Sequence, residues 1–120
     1  MKHLVAVCGL NLAIAVGLAA FGTHSLANHL SSSALETYRT GGLYHQLHGL
    51  GALLAAFFSA KIGVVPSILL LTGTLVFGGS LYLLAITGVR WLGAITPIGG
   101  VCLISGYIVL AYRGGRIATQ

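Results

Sequence analysis

Most of the side chains in this chain that could do chemistry fall in or beside one polar interruption. His24, His29, Glu36 and Arg39 lie between two apolar runs, His45 and His48 lie just inside the second, and Arg90 and Trp91 sit at a later break. His45 and His48 are three apart, so on a helix they share one face. With His24 or His29 they would offer nitrogen ligands to a metal. No Asp or neighbouring Cys accompanies them, and Glu36, the single acidic residue, is expected to cap a helix, so neither a metal nor a cofactor is expected. Ser31, Ser32 and Ser33 lie near the histidines, but no acid is free to orient a histidine as a base. The chain is therefore read as no enzyme. A proton path would want acidic groups within apolar segments, and there are none.

An anion site fits the residue types better. Arg39 and Arg90 are suited to a lipid phosphate, with His24 and His48 donating hydrogen bonds. The candidate binding residues, for a headgroup or a partner protein, are thus His24, Arg39, His48 and Arg90. The plainer reading is that both arginines anchor helix ends, with Trp91 as an interfacial neighbour, while His48 and Gln46 bond another helix. For Asn11, alone in its apolar run, a hydrogen bond between helices is the expected role.

The elements that carry these residues are membrane spans. Leu4–Phe21, Leu43–Ala60, Pro66–Ile86 and Leu92–Tyr112 are each close to the roughly 20 apolar residues that cross a bilayer. Hydrophobic residues make up 57% of the chain and charged ones 6%, against about 25% charged in a soluble domain, so a water-facing surface cannot be built. The net charge of +5 comes from basic residues scattered singly at the ends of apolar runs, a pattern that fits headgroups and excludes a nucleic-acid patch. Met1-Lys2-His3 and the small residues Gly17-Leu18-Ala19-Ala20 have the form of a secretory leader. The span-length first run, followed by three more, is instead expected to be a retained helix. Cys8 and Cys102 both fall inside spans and read as small core residues.

The expected architecture is an all-α membrane protein of four transmembrane helices in an antiparallel bundle. Residues 1–120 make one transmembrane domain. Lys61–Val65 and Thr87–Trp91 are tight connections, and Gly22–Gly42 is a long one with a short helix of its own. Ser33-Ala34-Leu35-Glu36 has the form of a capping box that starts this helix. It is expected either to run into span two or to bend at Gly41-Gly42. Pro66 is expected at the start of span three, and Pro97 is expected to kink span four, with Thr96 helping to satisfy the freed carbonyl. Small residues recur at four-residue spacing: Gly9, Ala13 and Gly17; Ala52, Ala56 and Ala60; Thr74 and Gly78; Cys102 and Gly106. Such stripes predict close helix contacts. Lys2, Lys61, Arg113 and Arg116 lie on one side, against Arg39 and Arg90 on the other. That bias puts both termini in the cytoplasm.

Several blocks resemble the YgdD-like family of small inner-membrane proteins with mitochondrial relatives, a domain of unknown function. They are residues 20–26, 34–41 and 44–48 and, above all, the run from Gly79 to Gly100. The resemblance covers almost the whole chain. It implies four membrane helices and no established activity. Its pattern matches His24, Gly41, Tyr44, His48, Tyr82, Arg90 and Pro97 among others. Ser25 stands where relatives often carry Gly, and Leu43 where many carry Arg. His45 does not match the pattern.

The expected function is a non-enzymatic membrane protein, an accessory or scaffolding subunit or a small homo-oligomer. Its partners would be membrane lipids, with or without a membrane-protein partner. The alternative is a small transporter or channel for a proton or small solute, formed by an oligomer and lined by Asn11, His48, Tyr82 and Thr96. His24, His48 and Arg90 are expected to converge at the non-cytoplasmic interface.

Overall fold

The computed structural model describes residues 1–118, with side chains through Arg116. Four long helices follow one another: α1 (Lys2–His24), α2 (Ser32–Ala56), α3 (Ala60–Thr87) and α4 (Leu92–Ala118). A single 3-10 turn, Leu26–Asn28, lies between α1 and α2. No strand occurs among the described residues. The molecule measures 54 × 26 × 18 Å, so its long axis exceeds the thickness of a bilayer, about 40–45 Å with headgroups.

The outside of this rod is apolar. Val7, Leu10 and Ile14 of α1, Leu75 and Leu83 of α3, and Val101, Ile104 and Ile108 of α4 are all exposed. Monomeric soluble proteins rarely show apolar surface that continuous. Three segments are long and apolar enough to cross a membrane: Lys2–Asn28, Ala60–Thr87 and Leu92–Arg116. The segment expected as span two, Leu43–Ala60, is replaced by the longer α2, whose first turns carry Glu36, Arg39 and several hydroxyls. It does not join the three apolar segments.

The start of α2 corrects the expected capping box. Ser31, not Ser33, is the N-cap: its backbone is extended at φ −61° and ψ 160°, and its Oγ accepts from the Ala34 N–H at 3.2 Å. Three residues after Ser31 stands Ala34, which has no side chain to reach back, so the reciprocal half of a capping box is absent. Glu36 lies in the second turn, exposed, and does not cap. The helix then runs without interruption through Gly41 and Gly42. These glycines serve contact rather than bending: a β-carbon on Gly41 would lie 3.2 Å from the Gly78 carbonyl oxygen of α3. The independent short helix expected in the first connection is thus the N-terminal half of α2.

The next two connections are tighter than expected. α2 ends at Ala56 and α3 begins at Ala60, so Lys61–Val65 is helix. Pro66 lies inside α3 and not at its first position, which removes the partner of the Ile62 carbonyl. α3 stops at Gly88, which adopts φ 70° and donates its N–H to the Leu84 carbonyl at 2.9 Å. That left-handed cap suits glycine.

The helices pack through small residues. Ala15, Ala52, Ala55 and Ala56 are fully or almost fully buried. A β-carbon on Gly63 would strike the Ala55 carbonyl oxygen, and one on Gly99 the Phe77 backbone. On Gly106 it would lie 2.9 Å from Leu70, and on Gly73 2.8 Å from Leu103. As numbers rise along α3 they fall along α4, and α2 meets α3 in the same way, with the Ser67 hydroxyl donating to the Ala52 carbonyl at 2.8 Å. α3 is thus flanked by α2 and α4, and α1 lies mainly on α2. The α1 stripe behaves otherwise. Gly9, Ala13 and Gly17 are exposed, and β-carbons on the two glycines would meet nothing within 4 Å.

Candidate functional site

Three helices meet at one imidazole. His45 of α2 is buried, and its Nε2 lies 3.0 Å from the Asn11 Oδ1 of α1. Its Nδ1 lies 3.0 Å from the Tyr82 hydroxyl of α3. An amide oxygen only accepts, so Nε2 carries the proton and donates to Asn11. The neutral ring then leaves Nδ1 as an acceptor, and the Tyr82 O–H donates to it. Both ring nitrogens are therefore occupied, which leaves His45 no lone pair for a metal or a substrate. Tyr82 also packs on Tyr38, with ring centroids 4.8 Å apart, and the Tyr38 O–H donates to the Leu18 carbonyl of α1 at 2.6 Å. Glycine makes the room: a β-carbon on Gly22 would strike the Tyr38 ring, and one on Gly49 would lie 2.8 Å from Asn11 Nδ2. That Nδ2 is buried and has no hydrogen-bond partner among the described residues.

His48 belongs to a separate group. Its Nδ1 lies 2.9 Å from the Tyr107 hydroxyl of α4, and a β-carbon on Gly51 would lie 2.6 Å from the same hydroxyl. Tyr44 stacks on Phe77 of α3 with centroids 4.2 Å apart and planes at 19°. These residues line a groove of about 570 Å³ together with Leu43, Leu47, Gly100, Leu103 and Ile104. His45 and His48, expected as a pair on one face, thus turn to different neighbours. Among the described residues no three of His, Cys, Asp and Glu come together as a metal site.

A third pair, Ser80 and Thr96, joins α3 to α4 with hydroxyls 2.6 Å apart, and Ser80 donates to the Phe77 carbonyl at 2.9 Å. Thr96 is thereby engaged away from the carbonyl that Pro97 frees, contrary to expectation. Near one end, Cys8 Sγ lies 3.6 Å from the Ser67 hydroxyl, and an Arg113 N–H donates to the Lys61 carbonyl at 3.1 Å. The four residues expected to line a transport path therefore divide among three hydrogen-bonded groups: Asn11 and Tyr82 with His45, Thr96 with Ser80, and His48 with Tyr107.

The expected convergence of His24, His48 and Arg90 does not form. Tyr107, which holds His48, lies fifteen positions beyond the first residue of α4. At about 1.5 Å per residue that is roughly 22 Å along the axis from the α4 start that follows Arg90. His24 closes α1 beside Thr23, which lines a groove with Arg39, and α3 brings Arg90 to the same end. His24, Arg39 and Arg90 therefore share one end of the rod, all exposed. His48 stands nine positions along α2 from Arg39, about 14 Å deeper. Its expected alternative, a bond to another helix, is what the Tyr107 contact supplies. Asn11 takes the interhelical role read from its isolation. His45, outside the expected binding residues, is the side chain that joins three helices; the lone amide of Asn11 and the Tyr82 hydroxyl, both within apolar runs, are the sequence signals for it.

A family model described as "Protein of unknown function (DUF423)" matches residues 18–100. The chain belongs to the DUF423 family. It is 38% identical to UPF0382 membrane protein YwdK of Bacillus subtilis (strain 168) over 115 residues, covering 92% of this chain and 94% of that one. It is 42% identical over 113 residues to UPF0382 membrane protein SSP2132 of Staphylococcus saprophyticus, covering 92% and 94%. A UPF0382 membrane protein of Staphylococcus epidermidis is also 42% identical, over 92% and 93%. No solved structure matches. Membership agrees with the resemblance read from residues 20–26 and 79–100: this is a small helical membrane protein of a family without an assigned role.

Proposed function

We propose that the chain is a four-span, antiparallel helical bundle of the bacterial inner membrane that acts without catalysis. It serves as an accessory or scaffolding subunit or as a small homo-oligomer. α2 is the fourth span, tilted or partly interfacial at its polar start. Its exposed residues Leu43, Leu47, Leu50 and Leu54 fall at helical spacing and form a lipid-facing stripe. Both termini are cytoplasmic, by the excess of Lys2, Lys61, Arg113 and Arg116 on that side. The opposite end presents His24, Arg39 and Arg90 to lipid phosphates.

The observation that carries the association reading is the outward face of α1. Gly9, Ala13 and Gly17 are exposed, with open space over both glycines, while the comparable small residues of α3 and most of those of α2 are packed inside the chain. Small residues at this spacing let helix backbones approach closely in lipid, where packing drives association. A photo-crosslinking residue placed at Ala13 in native membranes should trap one discrete adduct, either a second copy or a partner protein. The same residue at Ile104 should not trap it. Adducts to lipid alone at both positions would remove the reading.

A further inference from the structure

The groove between α2 and α4 lies on another face of the molecule and combines an apolar lining with aromatic rings and a histidine. Its walls are Leu43 and Leu47 on one side and Gly100 and Ile104 on the other, with the stacked Tyr44 and Phe77 rings as a flat aromatic panel. At about 570 Å³ it falls within the usual range for small-molecule sites, roughly 300–1,000 Å³. Its polar lining comes from Tyr44, His48 and Tyr107. His48 Nδ1 is occupied by Tyr107, whereas its Nε2 makes no hydrogen bond among the described residues. Nε2 is also not a sealed atom, since Asn11 Nδ2 is the buried orphan among them. It is therefore both reachable and unpartnered.

Depth decides what can reach it. Tyr107 lies fifteen residues, about 22 Å, from the start of α4 and six residues, about 9 Å, inside Arg113, the first charged residue toward the other end. The ester and phosphate oxygens of phospholipids stay near the interfaces, and acyl chains carry no hydrogen-bonding atom. An unpartnered ring nitrogen at that depth is costly, because hydrocarbon offers it nothing.

We propose that this groove binds a lipid-soluble molecule with a planar, oxygen-bearing ring of the quinone or quinol type, its oxygen hydrogen-bonded to His48 Nε2 and its ring against Tyr44 and Phe77. Tyr107 is a positioning residue: its bond to Nδ1 fixes the imidazole plane and leaves Nε2 turned to the groove. Gly100 lines the groove beside Phe77; a β-carbon there would sit in ordinary contact with the ring at 3.8 Å, so only a larger side chain is expected to fill the space.

The test uses the full chain in phospholipid nanodiscs with an azido-benzoquinone carrying a decyl tail, photolysed and mapped by mass spectrometry. Adducts are expected on groove residues such as Tyr44 and Ile104, competed by unmodified decyl-benzoquinone and not by decane. His48→Leu should lower groove labelling about tenfold, the loss of one hydrogen bond. His48→Gln, which keeps a polar group, should retain most of it, and Gly100→Leu should block it. Melting of each variant separates loss of the site from loss of fold, and competition of wild-type labelling by decyl-benzoquinone against decane decides the proposal if the leucine variants unfold. Labelling spread over all lipid-facing residues would overturn the proposal. So would equal competition by decane, which marks a groove for chains, or occlusion of the groove by a second copy.

Discussion

Replacing His45 with leucine is the most informative single change to the core, because one ring ties α1, α2 and α3 together. It removes two interhelical hydrogen bonds, each about 0.6 kcal/mol on average and up to about 1.7 in membrane proteins. It also strands the Tyr82 hydroxyl and the Asn11 amide in a buried site, at about 1–3 kcal/mol for an orphaned group. Some of that is recovered by the apolar leucine, so the expected net loss is about 2–4 kcal/mol. His48→Leu should cost less than about 1 kcal/mol, since it breaks one bond at a half-exposed position. The assay is reversible unfolding in mixed micelles followed by circular dichroism. A cycle with Asn11→Leu should show coupling of roughly 1–2 kcal/mol, because the asparagine has little left to bond once His45 is gone. Equal costs for His45→Leu and His48→Leu, or additivity in the cycle, would refute the three-helix tie.

Gly99→Ala should destabilise the bundle by about 1–3 kcal/mol in detergent melts, because its β-carbon meets the Phe77 backbone, while Gly79→Ala, with nothing within 4 Å, should be neutral or slightly stabilising. Ser31→Ala should cost about 1 kcal/mol through the lost cap and Ser33→Ala close to none, as read by the same melts. Reporter fusions after Gln120, a position outside the described residues, should report a cytoplasmic terminus; labelling from outside intact cells would reverse the orientation.

Apolar run length made the helical membrane class legible, because bilayer thickness fixes how many residues a span needs. The helix ends were less so. Three successive serines each have the chemistry of a cap, and only backbone geometry selects Ser31. Pro66 resembles a helix start, yet the helix begins at Ala60, since lipid-embedded helices tolerate an internal proline where neighbours pack the gap. At the candidate site, Asn11 was readable because a lone amide in an apolar run must find a partner. The separation of His48 from His24 and Arg90 was not, because sharing a side of the membrane says nothing about depth. His48 is held by Tyr107, far along α4, which sequence spacing from Arg90 could have warned against. The small-residue stripes showed which faces approach another helix, but not whether that helix belongs to the same chain. Only packing leaves the α1 stripe empty.

The most direct test of association through that face is the size of the mildly extracted protein, measured by sedimentation in detergent across a concentration series. The wild type should sediment as a discrete assembly with itself or a co-extracted partner, and Gly9→Leu/Gly17→Leu should sediment as a folded single chain. A wild type that remains one chain at every concentration, with no partner and no difference from the variant, would contradict the account.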